Sequence, residues 1–395
     1  MPTSAKGLPW PAGSQVNNVP QDVQALAEAV DARLDPAYTS AQVAALAGAD
    51  RWTGRVVLDA TLGRLVVWDG AAWQPVPLAG DGAPGPLVNG GMEVWQRGTT
   101  GAFSTGPGAG RCWAADRWLV WRGFWATGAS WYQTPLTRAV DAAGPRFALR
   151  MLRAAGDTGT WEVICGQGVR SGSSWPWAGR QVTVSAWLRA GPGHTGTVRL
   201  QVAAGTGADE DLAAGFTGQT LPVDAAVSVA AGGPFVRATA TGTLPATATQ
   251  IGVRVVWTPS GTAAAESWLD VTGVQVDDGP VARPWRQAPP AAEAAECARH
   301  YQLLGANDLW GSAHADTAVV LHAALAVPMR GTPAVTLPGS STVRRIGYAN
   351  LAGAAPTVDH ATPTHVGLVV TAVTGLPQFA AASWAGADVA LSAEL

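Results

Sequence analysis

Charge is scarce in this chain: 13% of its 395 residues are charged, the net charge is −3, and lysine is almost absent. A surface this poor in cations argues against a nucleic-acid binder, which needs clustered Lys and Arg to neutralise phosphates. Cysteine is equally sparse. Cys112, Cys165 and Cys297 are far apart and odd in number, so neither a disulfide framework nor a CxxC metal pair follows from them. Cys297 falls in a helical pattern and reads as a small core residue. No apolar run reaches the roughly 18 residues needed to span a bilayer. Residues 1–7 lack the apolar stretch of a signal peptide. The expectation is a protein made soluble in the cytoplasm, without membrane insertion, that would meet a cell surface only through assembly into a particle. Enzyme signatures are missing too: there is no GxSxG elbow, no HExxH and no GxxxxGK[ST].

What is present is turn-forming residues and tryptophan. The chain holds 48 Gly and 28 Pro, a composition that favours many short strands joined by tight turns. Its 19 Trp stand against 4 Tyr and 6 Phe, and ten of the 19 lie between Trp95 and Trp187. An indole offers a large apolar face and one N–H donor, so it suits a bulky sandwich core and sugar stacking alike. Core packing should take most of them.

The pattern along the chain predicts six segments. Residues 1–48 carry an N-terminal attachment and oligomerisation segment, with a helix over 21–34 and a second, short one over 40–47. In the first, Val23, Leu26, Val30 and Leu34 form one narrow apolar stripe that needs a partner on its own chain, another subunit or a particle. Residues 49–79 read as a β-meander around the Asp69-Gly70 turn, too small to bury a core alone. A linker spans 80–86. From 87 to 288 the alternating runs, such as Val182-Thr183-Val184-Ser185-Ala186-Trp187-Leu188, predict a jelly-roll β-sandwich. A bracing helix over 289–305 leads to a smaller C-terminal β domain at 306–395. The fold class is therefore mainly β, with a short N-terminal helical segment and an interdomain helix.

Five pieces occur in a fixed order: Asn89-Gly90-Gly91-Met92-Glu93-Val94-Trp95-Gln96-Arg97-Gly98, Ala115-Asp116-Arg117-Trp118, Val271-Thr272-Gly273-Val274-Gln275-Val276-Asp277-Asp278-Gly279, Cys297-Ala298-Arg299-His300-Tyr301, and Val327-Pro328-Met329-Arg330-Gly331-Thr332-Pro333. Together they resemble a carbohydrate-binding jelly-roll module of phage tail fibres and head spikes. That family has an NGxFExWQRG strand, an ADRW strand and a CxRYY-like helix; Met92 replaces its usual Phe. Residues 11–31 and 59–73 resemble the particle-attached end of actinophage and gene-transfer-agent fibres. The resemblance implies attachment to other virion structural proteins through the N-terminus, a homo-oligomer (a trimer, or a pentamer on a capsid vertex), and contact with host cell-surface polysaccharide. The last 60 residues match no such motif.

Glycan binding needs flat apolar faces for the C–H side of sugar rings and a few hydrogen-bonding groups. The candidates are Trp121, Trp125, Trp131 and Tyr132 in one cluster, and Trp175 and Trp177 in the loop-like Ser171-Gly172-Ser173-Ser174-Trp175-Pro176-Trp177. Trp95, Trp118 and Trp187 sit in strand-like runs and read as core. Arg97 and Arg117 read as partners of local carboxylates or carbonyls. Jelly-roll sugar-binding modules often hold a structural calcium, for which Glu93, Asp270 and Asp277 are the candidates; solvated or turn-capping carboxylates are the weightier reading. No other cofactor is expected. The one dense acidic run, Asp209-Glu210-Asp211, reads as a solvated loop tip rather than a hydrolase pair. His314, Asp316 and His322 form a weaker metal candidate. A fibre or spike that binds polysaccharide without catalysis is the leading reading, ahead of a virion-associated depolymerase or a purely structural spacer.

Overall fold

The computed structural model describes residues 37–61, 64–75, 85–102, 110–122, 129–135, 144–315, 317–345, 350–374 and 377–394, with 49, 64, 74–75, 102 and 129–135 described by backbone alone. The chain divides into two units, residues 1–83 and 84–395. The helix expected over 21–34 and most of the 80–86 linker lie outside the described residues.

In the first unit a short helix, Ser40–Ala45, is opened by a capping box between Thr39 and Gln42. A meander follows: β1 (Val56–Asp59), β2 (Arg64–Trp68) and β3 (Trp73–Pro75). The Asp69 carboxylate accepts from the Ala71 and Ala72 amides at 2.8 and 2.7 Å, and Gly70 supplies the positive φ of the turn. Val43, Val57 and Val66 form its small core. Cross-strand pairing sets Val56 opposite Val67 and Leu58 opposite Leu65. Val56, Leu58 and Leu65 are exposed.

The second unit is mainly β and opens with a jelly-roll sandwich of two six-stranded antiparallel sheets. Its strands are β4 (Thr100–Ala102), β5 (Arg111–Trp113), β6 (Leu119–Arg122), β7 (Ala129–Pro135), β8 (Phe147–Arg153), β9 (Val163–Val169), β10 (Gln181–Ala190), β11 (Thr197–Gly205), β12 (Thr220–Val227), β13 (Val236–Thr243), β14 (Gln250–Thr258) and β15 (Trp268–Asp278). One sheet runs β13-β10-β15-β8-β7-β4 and the other β12-β11-β14-β9-β6-β5, so the chain crosses between layers repeatedly. Every second residue points inward. Val182, Val184, Ala186 and Leu188 of β10 share a core with Ile251, Val253, Val255 and Trp257 of β14. Each fully buried Val, Leu or Ile contributes about 1.5–3 kcal/mol. At Gly273 the register of β15 against β10 slips by one residue. Gly273 has φ +57, and a Cβ there would stand 2.7 Å from the Trp187 ring, so this bulge requires glycine.

The C-terminal strands form a second, smaller pair of sheets. β16 (Tyr301–Leu304), β25 (Val389–Ser392) and β19 (Ala334–Thr336) make a three-stranded sheet. Seven more strands run in the order β21-β20-β24-β17-β18-β23-β22: β17 (Trp310–Ala315), β18 (Ala318–Ala324), β20 (Ser341–Arg345), β21 (Asn350–Gly353), β22 (Thr357–Ala361), β23 (His365–Thr371) and β24 (Ala381–Trp384). Their core includes Leu321, Val343, Leu368 and Trp384. The helix expected over 289–305 spans Pro290–Ala298, and Cys297 is buried on it. Residues 301–304 alternate in burial and pair with β25, so the chain is already a strand where continued helix was expected.

The sandwich meets this second pair of sheets at a polar joint built from the motif residues. Fully buried Asn89, at φ +56, organises its sandwich side. Its amide donates to Val94 O and Asp116 O at 2.9 and 3.0 Å, and its Oδ1 accepts from the Glu93 and Val94 amides at 2.7 and 3.0 Å. The Asn89 carbonyl takes the Trp118 indole N–H at 2.8 Å, and its own amide donates to Glu293 of the helix. Gly90 lies against β15, where a Cβ would collide with Val274 O at 2.3 Å. Beyond Asn89, Arg97 donates to Glu394 at 3.0 Å and Arg117 to the other oxygen of the same carboxylate. Arg117 also reaches Gly168 O at 2.8 Å, and the Arg97 guanidinium lies 3.7 Å from the Tyr301 ring centroid. Arg97 and Arg117 thus pair with protein groups.

Both guanidinium groups and the carboxylate are largely buried, and breaking such a group costs about 3–5 kcal/mol. Glu394→Ala should lower the thermal midpoint followed by circular dichroism. Glu394→Gln, which keeps one acceptor, should lose less.

Candidate functional site

The most exposed tryptophan among the described residues is Trp175, at 65% relative exposure. It sits where β9 leaves the sandwich through a short helix, Ser171–Ser174, and a 3-10 turn, Trp175–Trp177. Pro176 fixes the backbone inside that turn and Gly179, at φ +73, ends it. Ser174 pins the turn from below: its hydroxyl donates to Arg170 O at 2.9 Å and accepts from the Ile251 amide of β14 at 3.2 Å. Ser171 and Asp209 exchange reciprocal bonds at 2.9 Å, and Arg330 holds the Asp209 carboxylate at 2.6 Å. On the other side Trp177 is half-buried against the sandwich core. An exposed indole on so constrained a base gives up little conformational freedom when a ligand stacks on it.

The remaining aromatic candidates do not gather around Trp175. Trp121 is buried, at 8% exposure, on the outer surface of its sheet. Leu212 and Phe216, from the loop after β11, cover it together with Ile164, and Gly166 makes room for its ring. That covering contact is long-range, so the expectation of sugar contact there is corrected. Trp177, as packed, presents less than a free face. Trp125 lies outside the described residues. Trp131 and Tyr132 are placed by backbone register alone, opposite Met151 and Arg150. Trp118 is fully buried, while Trp95 and Trp187 are partly buried.

The three carboxylates considered for calcium are each bound by protein donors. Asp270 is fully buried and takes Arg150 at 2.6 and 2.9 Å and Arg189 at 2.7 and 3.1 Å, each from an adjacent strand. The Arg150 guanidinium stacks 3.5 Å from the Trp268 ring centroid. Asp277 accepts from Gln275 Nε2 at 2.8 and 2.9 Å and from the Arg283 amide at 3.0 Å. Burial raises its pKa from the ordinary carboxylate value. Glu93 is bound by the amide and guanidinium of Arg146 at 2.6 and 2.7 Å. Each carboxylate has its own donors, and among the described residues no group of three or more His, Cys, Asp or Glu could hold a metal. Asp316 lies outside the described residues, and His322 pairs across the ladder with Trp310 rather than with His314.

The acidic run is engaged in the same way. Asp211 pairs with Arg111, Asp209 with Arg330, and Glu210 accepts from the amide and hydroxyl of Thr217 and from Gln250. The Thr217 hydrogen bonds lower the Glu210 pKa from its usual value.

Trp310, half exposed on β17, was not singled out from the sequence. The available signal was a lone indole beside the Asn307-Asp308 turn, at the start of a strand whose small residues hide its alternation.

No family model matches this chain, and no curated protein matches it. Among solved structures it is similar to TmCBM61 in complex with β-1,4-galactotriose, at 13% identity and a TM-score of 0.29, over 50% of this chain and 99% of that one. It is also similar to the CBM22-1–CBM22-2 tandem of Paenibacillus barcinonensis Xyn10C, at 11% identity and a TM-score of 0.26, over 70% and 93%. A third is the CBM22-1–GH10 part of Clostridium thermocellum xylanase 10B complexed with xylohexaose, at 13% identity and a TM-score of 0.25, over 41% of this chain and 26% of that one. At these TM-scores the likeness carries no argument; the jelly-roll assignment rests on the sheet order.

Because Glu93, Asp270 and Asp277 are filled by protein donors, EGTA should leave the thermal midpoint unchanged. A fall restored by added calcium would contradict this account of the three carboxylates.

Proposed function

We propose that this chain is a non-enzymatic fibre or spike subunit of a phage-like particle, attached through its N-terminal segment and binding cell-surface polysaccharide. The observation that carries the binding half is Trp175: an indole 65% exposed on a turn pinned by Ser174 and Asp209. Sugar rings stack on such a face, and the rigid base lowers the ordering cost of binding. Engagement of Asp209, Glu210 and Asp211 by neighbouring groups supports binding over glycoside hydrolysis, which uses a pair of positioned carboxylates.

Support for the virion half comes from the five ordered motifs and the N-terminal resemblance. Support for assembly comes from the first unit, whose core is three valines and whose opposite face exposes Val56, Leu58 and Leu65. A neighbouring copy that covers this face would supply the burial that so small a sheet lacks. A homotrimer is the favoured state. Multiplying a weak sugar site across several chains raises avidity without new contacts.

Purified protein should bind host capsular or cell-wall polysaccharide saturably, and Trp175→Ala should weaken binding about tenfold. Binding unchanged in that variant removes Trp175 from the site. Leu58→Lys should shift the sedimentation coefficient toward the monomer; an unshifted oligomer would mean that chains associate through another surface.

A further inference from the structure

The outer face of the seven-stranded sheet carries a row of side chains that the jelly-roll reading does not use. Cross-strand partners share a face, and successive pairings line up Arg344 of β20, Ser383 of β24, Trp310 of β17, His322 of β18, Gly367 of β23 and His360 of β22. Six adjacent strands at about 4.8 Å spacing make this row about 24 Å long. Trp310 is half exposed; Arg344, His322 and His360 are exposed. Gly367 is what lets the two imidazoles close over the strand between them. Their ring centroids are 5.4 Å apart, and a Cβ at Gly367 would stand 2.4 Å from His360 and 3.0 Å from His322. Asp359 bonds His360 Nδ1 at 2.9 Å, which orients that ring. The row therefore combines an apolar plate, a series of hydrogen-bonding groups and an exposed guanidinium, Arg344, whose Nε donates to the Asn350 side-chain oxygen at 3.3 Å.

We propose that this row is a second saccharide site, taking an extended acidic polysaccharide laid across the strands. It rests on the glycan-binding reading above but uses a different surface from Trp175. The spacing between strands is close to the length of one sugar residue in an extended chain, so successive residues fall over successive side chains. Trp310 stacks on one ring, while His322 and His360 bond hydroxyls on one side of it. Two strands away on the other side, Arg344 pairs with a uronate carboxylate, for which its planar fork is suited.

The test is binding of the full chain to immobilised polygalacturonate, alginate and hyaluronan, with carboxyl-reduced polygalacturonate and dextran as neutral controls. Trp310→Ala should weaken binding to at least one uronate polymer about tenfold. Arg344→Ala should weaken the same binding while leaving the carboxyl-reduced polymer unaffected. Both positions are on the surface, so the variants should keep the parent's thermal midpoint. Three results would overturn the proposal: no uronate polymer binds, binding survives both substitutions, or Trp310→Ala changes the sedimentation coefficient, which would make this face a contact between copies. Loss with Trp175→Ala but not Trp310→Ala removes this second site and leaves the first; the reverse removes the first and leaves the second.

Discussion

Everything in the second unit hangs on how buried polar groups are satisfied where the sandwich meets the C-terminal sheets. Asn89 is fully buried and saturates both its amide and its carbonyl oxygens, tying the entrance of the sandwich to Val94, Asp116, Trp118 and the helix residue Glu293. Near the C-terminal end of the described chain, one carboxylate, Glu394, serves two guanidinium groups from different loops of the sandwich. Polar groups in such a place are costly unless every partner is present. The joint therefore specifies one arrangement, and it positions the Trp175 turn through the Arg330–Asp209 pair, which bridges the same two sets of sheets.

This gives the motif residues a physical role different from ligand contact. Asn89, Gly90, Arg97, Asp116, Arg117 and Trp118 build the joint; Gly273 makes the bulge that seats Trp187. The surfaces proposed for saccharide lie elsewhere, on Trp175 and on the Trp310 row. A scaffold held by buried polar contacts of this kind can change its exposed residues without losing its fold.

Much of the fold was legible because strands that bury one face must alternate. The runs at Val182–Leu188 and Ile251–Trp257 sit inside β10 and β14, and the Asp69-Gly70 turn closes the meander. Long-range contacts were not legible. Trp121 stands in an aromatic cluster that looks exposed, yet Leu212 and Phe216 cover it from about ninety residues away in sequence. Asp270 resembles a metal ligand in isolation, and only cross-strand pairing brings Arg150 and Arg189 onto it. The helix after Pro289 ends early because Tyr301–Leu304 finds β25, a partner nearly ninety residues further on. Of the sugar-contact candidates, the Trp175 loop was legible from its Ser, Gly and Pro neighbours, whereas Trp310 had no such setting.

The central claim is that the sandwich and the C-terminal sheets act as one cooperative body through the polar joint. Hydrogen exchange read by mass spectrometry tests this in the intact chain. Amides of β10 and β15 should open with the same free energy as those of β18 and β23, and both sets should fall together in Arg117→Ala. If the C-terminal strands open at much lower free energy than the sandwich, and Arg117→Ala leaves that difference unchanged, the joint does not couple the two halves and the account fails.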